Sequence, residues 1–475
     1  MSFKCVKKFE GNYDKYIILT TLEDKEMPEF LSENVRKQIN LIAENKKFEA
    51  KAGNKLELAL IDDGKVVNVV IIGLGEKNKL NPRSIRENIY KGLKGENGNA
   101  LITFIDKELD NIDIVAEVVE HVNYTFDKYK SEKKEKFLEV AYLTGKKVSK
   151  VIEGYELGKI SSIVKDLVNE QADIMTPKAL SEQAAKLGQE YGFEVEILDE
   201  KKAEKLGMKA YLSVARAAHN RPYVIVMRYR GNEKTNYTYG LVGKGLTYDT
   251  GGLSLKPTDS MVNMKDDMGG AATVIGAMCA IAKMKVKKNV TCVIAACENS
   301  IGPNAYRPGD IVETMNGKTI EVLNTDAEGR LTLADAITYI IRKENVDEVI
   351  DAATLTGAML VALGEDVTGV FTNDDTMAHK LIEASENWNE YFWQMPMFPF
   401  FRENIKSKIA DIKNSGVRWG GSINAAKFLE EFVEDKKWIH LDIAGTAFSS
   451  GNNSYYPKGA TGQVFRTLYS YIKNN

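Results

Sequence analysis

Short apolar, β-branched runs alternate with segments of helical period along most of this chain, and that alternation confines it to α/β architectures. Residues 16–20, 66–72 and 100–105 are such runs in the first third. Each has the length of a strand and falls short of a helix. Residues 82–93 and 113–126 carry helical patterns, and 141–144 reads as a last strand after the lysine- and glutamate-rich run 128–136. Strand, helix and strand in succession predict βαβ units and a largely parallel sheet. The stretch 147–192 reads as mainly helical, broken at Asp173-Ile174-Met175-Thr176-Pro177. There Thr176 supplies an N-cap and Pro177 the first helical position. Beyond it, 223–229, 237–242, 349–356 and 438–447 read as strands, and 269–284 as a helix of small residues. The expected fold is α/β in two domains, a smaller one over residues 1–150 and a larger one over 151–475. The crossing falls in the helical stretch near residue 155, and the larger domain should hold a mixed central sheet flanked by helices.

At 475 residues the chain has room for two or three domains with sizeable cores. A hydrophobic share of 44% and a charged share of 28% suit a soluble globular protein. The formal net charge of −3 gives no reason to expect nucleic acid or an anionic membrane as the main partner. Cys5, Cys279, Cys292 and Cys297 form no C-x-x-C pair and read as reduced, mostly buried thiols. Residues 1–16 hold several lysines and no apolar core, so no signal peptide is expected. No run approaches the roughly 18 apolar residues of a membrane span. A cytoplasmic protein is expected.

Carboxylates and glycines in the second half narrow the chemistry. An apolar, β-rich run, 319–323, leads into Asn324-Thr325-Asp326-Ala327-Glu328-Gly329-Arg330-Leu331. A helical period follows at Leu331, Leu333, Ala334, Ile337, Ile340 and Ile341. On extended backbone Asp326 and Glu328 would point to one side, with Arg330 close by and Gly329 allowing a sharp exit. Such a junction can hold metal ions and an anion, but a bare Asp-x-Glu can equally be an acidic turn capping a helix. Upstream, Gly243-Lys244-Gly245-Leu246-Thr247-Tyr248-Asp249-Thr250-Gly251-Gly252 brackets a lysine and an aspartate with glycines. These let backbone and side chains crowd a small ligand. A strand-like piece, 253–257, delivers Lys256, and Met264-Lys265-Asp266-Asp267-Met268 opens the small-residue helix. Single lysines and aspartates are usually surface groups; the bracketed arrangement argues otherwise. Gly73-Leu74-Gly75 lacks the third glycine of a dinucleotide site and reads as a turn. The first domain offers no cluster of ligands or nucleophiles.

The octapeptide 324–331 resembles the signature of the leucine (cytosol) aminopeptidase family, two-metal enzymes that remove N-terminal residues from peptides. The block 243–272 is similar to that family's other metal-binding motif, and the resemblance runs over residues 155–470. It implies five metal ligands: Lys244, Asp249, Asp267, Asp326 and Glu328, with Asp249 and Glu328 bridging two divalent ions, Mn2+ or Zn2+, with Mg2+ a further option. Carboxylates are hard donors suited to such ions. Four acids in one pocket would raise one another's pKa values unless cations cancelled their charge. Lys244 would ligate as a neutral amine.

The same resemblance implies Lys256 and Arg330 as the catalytic residues. Lys256 would stabilise the tetrahedral oxyanion, and Arg330 would hold a bicarbonate ion that its planar fork fits. From the residues alone, Arg330 could merely pair with Glu328 or Asp326. A metal-bridged hydroxide would attack the scissile carbonyl while one ion takes the substrate's free α-amine. Met264, Thr354, Leu355, Gly357, Ala444 and Ala447 are candidate walls of the pocket for the first residue, suiting Leu or Met. His121, His219, His379 and His440 lie outside the motifs, and His440 reads as a structural residue near the site. Asn299-Ser300-Ile301-Gly302-Pro303 and Gln463-Val464-Phe465 depart from the family pattern, and neither is expected to touch an assigned ligand. Relatives are hexamers, so a homohexamer acting on peptides with a free N-terminus is implied, the first domain shielding the site or building the oligomer. Another two-metal hydrolase, such as a phosphoesterase, is one alternative. A DNA-binding architectural or regulatory role, known in some relatives, is another, and no basic stripe supports it.

Overall fold

The computed structural model describes residues 2–6, 12–109, 111–133, 137–143, 149–453 and 455–475. Residues 1, 7–11, 134–136, 144, 147 and 148 belong to stretches read above, and they lie outside the described residues. Two compact units result, Met1–Ser162 with Asn387–Asn389, and Ile163–Glu386 with Glu390–Asn475.

The first unit is built on β1 (Phe3–Val6), β2 (Lys15–Thr20), β3 (Lys55–Asp62), β4 (Lys65–Gly73), β5 (Gly98–Phe104) and β6 (Leu138–Leu143). They form one sheet in the order β1-β6-β5-β2-β4-β3. Every neighbouring pair is parallel except β3 on β4. Three of these strands are the apolar runs at 16–20, 66–72 and 100–105, and helices Pro82–Leu93 and Ile112–Asn123 match the helical patterns. Asn81 starts the first of them, its side chain accepting the Ser84 N–H in a reciprocal capping box. Strand β3 went unread. Its Leu56, Leu58 and Leu60 are buried alternately, and they pack with Val35 and Ile39 of helix Glu33–Asn45. Asp63 and Gly64, both left-handed at φ +47° and +75°, close a two-residue hairpin into β4. Gly73 answers to a backbone crossing, since a Cβ there would stand 2.4 Å from the Lys51 carbonyl oxygen.

The second unit contains β7 (Glu194–Asp199), β8 (Tyr223–Arg230), β9 (Thr238–Asp249), β10 (Asn289–Asn299), β11 (Ile311–Glu313), β12 (Thr319–Glu321), β13 (Glu348–Ala353), β14 (Val367–Thr372), β15 (Tyr391–Gln394), β16 (Ile412–Lys413) and β17 (Lys437–Asp442). Eight of them make the central sheet, in the order β15-β14-β17-β13-β9-β10-β8-β7. It is mixed, with a parallel centre (β10, β9, β13, β17) and antiparallel pairings toward both edges. A separate small sheet joins β11, β12 and β16. Leading into this unit, helix Ser149–Asn169 is followed by Pro177–Tyr191, whose N-cap Thr176 accepts the Ala179 N–H.

Strands β9 and β10 are almost wholly buried, as parallel strands covered on both faces should be. Successive residues of a strand face opposite sides, and β9 shows what covers each. A Cβ on Gly243 would meet Gly270 and Ala271 of helix Gly269–Lys283, whereas the neighbouring Lys244 reaches Gly329, the first residue of helix Gly329–Glu344. The two helices therefore cover opposite faces, and their starts meet beside Lys244.

Two local expectations fail. Asp326 and Glu328 are not on extended backbone: β12 ends at Glu321, and Glu328 is already helical at φ −79°, ψ −36°. Residues 253–257 form no strand: a turn ends at Ser254 and 255–257 are irregular.

Candidate active site

Lys244 is buried in the middle of β9, and a buried ammonium is tolerable only when paired. Its Nζ donates to Asp267 Oδ1 at 2.6 Å and to the Thr354 carbonyl at 2.9 Å, and it lies 3.0 Å from Glu328 Oε1. Gly329 makes this reach possible, because a Cβ there would stand 2.4 Å from Lys244 Cε. That clearance, not a left-handed exit, is what the glycine of the octapeptide provides.

Asp249 ends β9. Gly251 and Gly252, left-handed at φ +82° and +62°, then reverse the chain. The reversal brings Lys256 Nζ to 2.8 Å from Asp249 Oδ2 and 2.5 Å from Asp326 Oδ1. One carboxylate oxygen from each of Asp249, Asp326 and Glu328 lies within 4.8 Å of the others. These residues, with Lys244, Asp267 and Arg330, open on one cleft of about 530 Å3. Met264, Thr354, Leu355, Gly357 and Ala444 line the same cleft. Ala447 does not; it packs behind, 3.0 Å from where a Cβ on Gly269 would stand.

Burial sets the electrostatics. It pushes the carboxyls of Asp267, Glu328 and Asp326 above the ordinary range, and that of Asp266, on the cleft wall, up to about 7. Burial opposes the charge of Lys244, but Asp267, Glu328 and Asp249 outweigh it and hold the ammonium above its usual pKa. Lys256 is held up in the same way, chiefly by Asp249 and Glu328. Four carboxylates thus face two ammonium groups. Asp267 Oδ2 and Glu328 Oε2 are buried with no hydrogen-bond partner among the described residues. Buried carboxylate oxygens without donors are expensive, and an oxygen-rich set with surplus negative charge is what divalent cations bind. The donor set fits metal ions.

Arg330 is also buried, and burial lowers its pKa to about 10. Its Nη1 donates to the Asn414 carbonyl at 2.8 Å, while Nε has no partner among the described residues. Among those residues it forms no ion pair with Glu328 or Asp326, so the simple pairing considered for it is not present.

Several supporting residues escaped the sequence reading. Asn299 was expected to touch no assigned ligand, yet its Nδ2 donates to Asp249 Oδ1 at 2.8 Å and to the Thr325 carbonyl at 3.0 Å. Thr325 and Ser254 lock the two loops together through Ser254 N to Thr325 Oγ1 and Thr325 N to Ser254 Oγ. Asp442 accepts from Thr356 Oγ1 at 2.6 Å and from the backbone N–H of Ala444, so it joins two stretches of the cleft wall. His440 is buried, bonded through Nδ1 to Asp351 Oδ1 at 2.6 Å and stacked with Phe371 and Trp438.

Residues 162–469 match the model of the cytosol aminopeptidase family, catalytic domain, and residues 19–133 match that of its N-terminal domain. The chain belongs to the cytosol aminopeptidase family. A probable cytosol aminopeptidase of Fusobacterium nucleatum subsp. nucleatum is 70% identical over 476 residues, covering 100% of both chains. A mutant of tomato leucine aminopeptidase superimposes with a TM-score of 0.87 at 33% identity, over 100% of this chain and 97% of that one. The bottromycin maturation enzyme BotP, in complex with Mn, gives a TM-score of 0.86 at 29% identity, over 97% and 99%. As a cytosol aminopeptidase family member the chain is a metal-dependent aminopeptidase, a hydrolase of peptides, and its acidic cluster can hold the metal. Among the described residues no helix is long and apolar enough to cross a membrane.

Proposed function

We propose that the cleft holds two divalent cations, Mn2+ or Zn2+ with Mg2+ a further option, and removes leucine and other apolar residues from peptide N-termini. The convergence of Asp249, Asp326 and Glu328 within 4.8 Å carries this reading. The two unpartnered carboxylate oxygens of Asp267 and Glu328 reinforce it. Lys244, Asp249, Asp267, Asp326 and Glu328 would hold the ions, Lys244 as a neutral amine. When bound, the ions would activate water and polarise the scissile carbonyl.

The chain's own residues supply the rest. Lys256 keeps its proton and places a cation where negative charge develops on the carbonyl oxygen. Arg330, with an unused Nε, presents a planar fork that would hold a small planar anion such as bicarbonate; when bound, that anion would supply a proton acceptor beside the acidic cluster. Met264, Thr354, Leu355, Gly357 and Ala444 supply a largely apolar wall for the first side chain, with Ala447 supporting it from behind. We assign the first domain, residues 1–150, to shielding the site or building a homohexamer, and residues 151–475 to catalysis in the cytoplasm. The deciding experiment is metal content per chain together with turnover of leucine amide, after chelation and after return of Mn2+ or Zn2+. Two ions per chain and restored turnover are expected; full activity in the chelated, metal-free protein would end the proposal.

A further inference from the structure

The loop between β16 and helix Gly421–Glu430 shows its two ends to the cleft through Ser415 and Gly421. Its middle carries an indole and a guanidinium into solvent. Trp419 is 78% exposed, unusual for the largest apolar side chain. Arg418 lies over its ring, 5.6 Å from the centroid, and pairs with no carboxylate among the described residues. The loop is held from beneath. Buried Asn424 donates through Nδ2 to the carbonyls of Val417 and Trp419, both at 3.1 Å, and accepts from Asn404 Nδ2 at 2.9 Å. Gly420, left-handed at φ +64°, then turns the chain into the helix. A ring presented by a fixed backbone beside a charged group is a built surface. Exposed Phe398 and Phe400 stack on each other close by, and Phe401 lies 3.5 Å from where a Cβ on Gly420 would stand.

On the aminopeptidase reading, the first residue and its amine occupy the cleft near the acidic cluster, so the rest of the peptide has to leave past the cleft wall. Trp419 is two residues from Gly421, which puts its Cα within about 7.6 Å of that wall. Two extended substrate residues span about 7 Å. The geometry points to a downstream subsite in which Trp419 packs against an aromatic side chain of the third residue and Arg418 pairs with a free C-terminal carboxylate. The favoured substrates are short peptides, tripeptides ending in Phe or Tyr above all. This occupant fits the patch because it accounts for the ring and the unpaired cation together.

The test compares kcat/KM for Leu-Gly-Phe, Leu-Gly-Phe-amide and leucine amide, using metal-loaded wild type, Trp419→Ala and Arg418→Gln. In wild type, Leu-Gly-Phe should be preferred over both other substrates. Trp419→Ala should reduce the ratio of Leu-Gly-Phe to leucine amide on the order of tenfold, mainly through KM. Arg418→Gln should abolish the preference for the free acid over the amide. Ratios do not depend on the fraction of folded enzyme, so a poorly folding variant still reports. Unchanged ratios in both variants would overturn the subsite while leaving the aminopeptidase reading intact. A Trp419→Ala protein with unchanged ratios and a smaller sedimenting mass would assign the patch to contacts between copies instead. No turnover of leucine amide by wild type would remove the aminopeptidase reading and the subsite together.

Discussion

At the scale of single residues, the site separates groups that hold charge from groups that hold geometry. Lys256 stands 2.5–2.8 Å from two carboxylates yet serves in the proposed chemistry as a cation. Lys256→Ala should retain metal and lower kcat by roughly 10²–10³, the scale of losing one oxyanion donor. Metal lost alongside activity would show that it holds the centre together instead. Asn299 does not line the cleft. It fixes the free rotation of Asp249 by donating to Oδ1 while tying Asp249 to Thr325. Partners of this kind are worth about 10–100-fold in metal affinity, so Asn299→Ala should require more metal for half-maximal activity and recover most of kcat when metal is saturating. An unchanged metal titration would mean that the Gly251 N–H and Lys256 suffice to orient Asp249. The sequence could not reveal this residue, because Asn299 and Asp249 are paired only through the parallel register of β10 on β9.

At the scale of elements, two glycines at helix starts make opposite predictions. A Cβ on Gly270 would stand 2.0 Å from the Ala352 carbonyl oxygen and 2.8 Å from Lys244 N, both backbone atoms that cannot move aside. Gly270→Ala should therefore lower Tm by several degrees, since overpacking a rigid interface costs about 1–3 kcal/mol or more. A Cβ on Gly329 would meet only the far end of the Lys244 side chain, 2.4 Å away at Cε. Gly329→Ala should lower Tm of the metal-free protein less than Gly270→Ala does, and should lose metal binding and turnover, because Lys244 has to swing away from Asp267 and Glu328. Equal Tm losses in the two variants would refute this division of roles. The elements themselves were legible wherever local signals agreed: apolar runs gave β2, β4, β5, β8 and β9, and Thr176-Pro177 marked a helix start. The turn at 322–328 was misread because it is held from afar. Asn414 accepts the N–H groups of Leu323 and Asn324 through Oδ1, and its Nδ2 donates to the Asn324 carbonyl. The one local clue was Asn324, whose Oδ1 accepts the Asp326 N–H at 2.9 Å. An Asx turn of that kind breaks a strand. β3 also carried its signal, in alternating leucines before Asp63-Gly64.

At the scale of the whole molecule, a formal net charge of −3 exerts too small a field to shape the pH dependence of a neutral substrate, so local groups decide it. None of the four histidines lines the cleft, and His440 is buried against Asp351. Two groups at the cleft are then compared. One is the substrate's α-amine, ordinarily at about 7.7–8.0, which is protonated below that range and offers a lone pair above it. The other is Asp266 on the cleft wall, pushed up to about 7 by burial. The profile of kcat/KM reports ionisations of free enzyme and free substrate. If a neutral amine is what binds, the rate rises with pH through the amine's own pKa and levels off above it. The limb should then move when the substrate's amine pKa is changed, and an N-acetylated leucine amide should be neither cleaved nor bound well at any pH. A limb set by a group of the enzyme, such as Asp266, would stay at one pH for every substrate. The measurement is kcat/KM over pH 6–10 at saturating metal, for two amides whose amine pKa values differ by about one unit. A rising limb that tracks the substrate supports the free amine as a ligand. A fixed limb, or turnover of the acetylated compound comparable to that of leucine amide, would remove the amine from the mechanism and leave a group of the enzyme as the one that titrates.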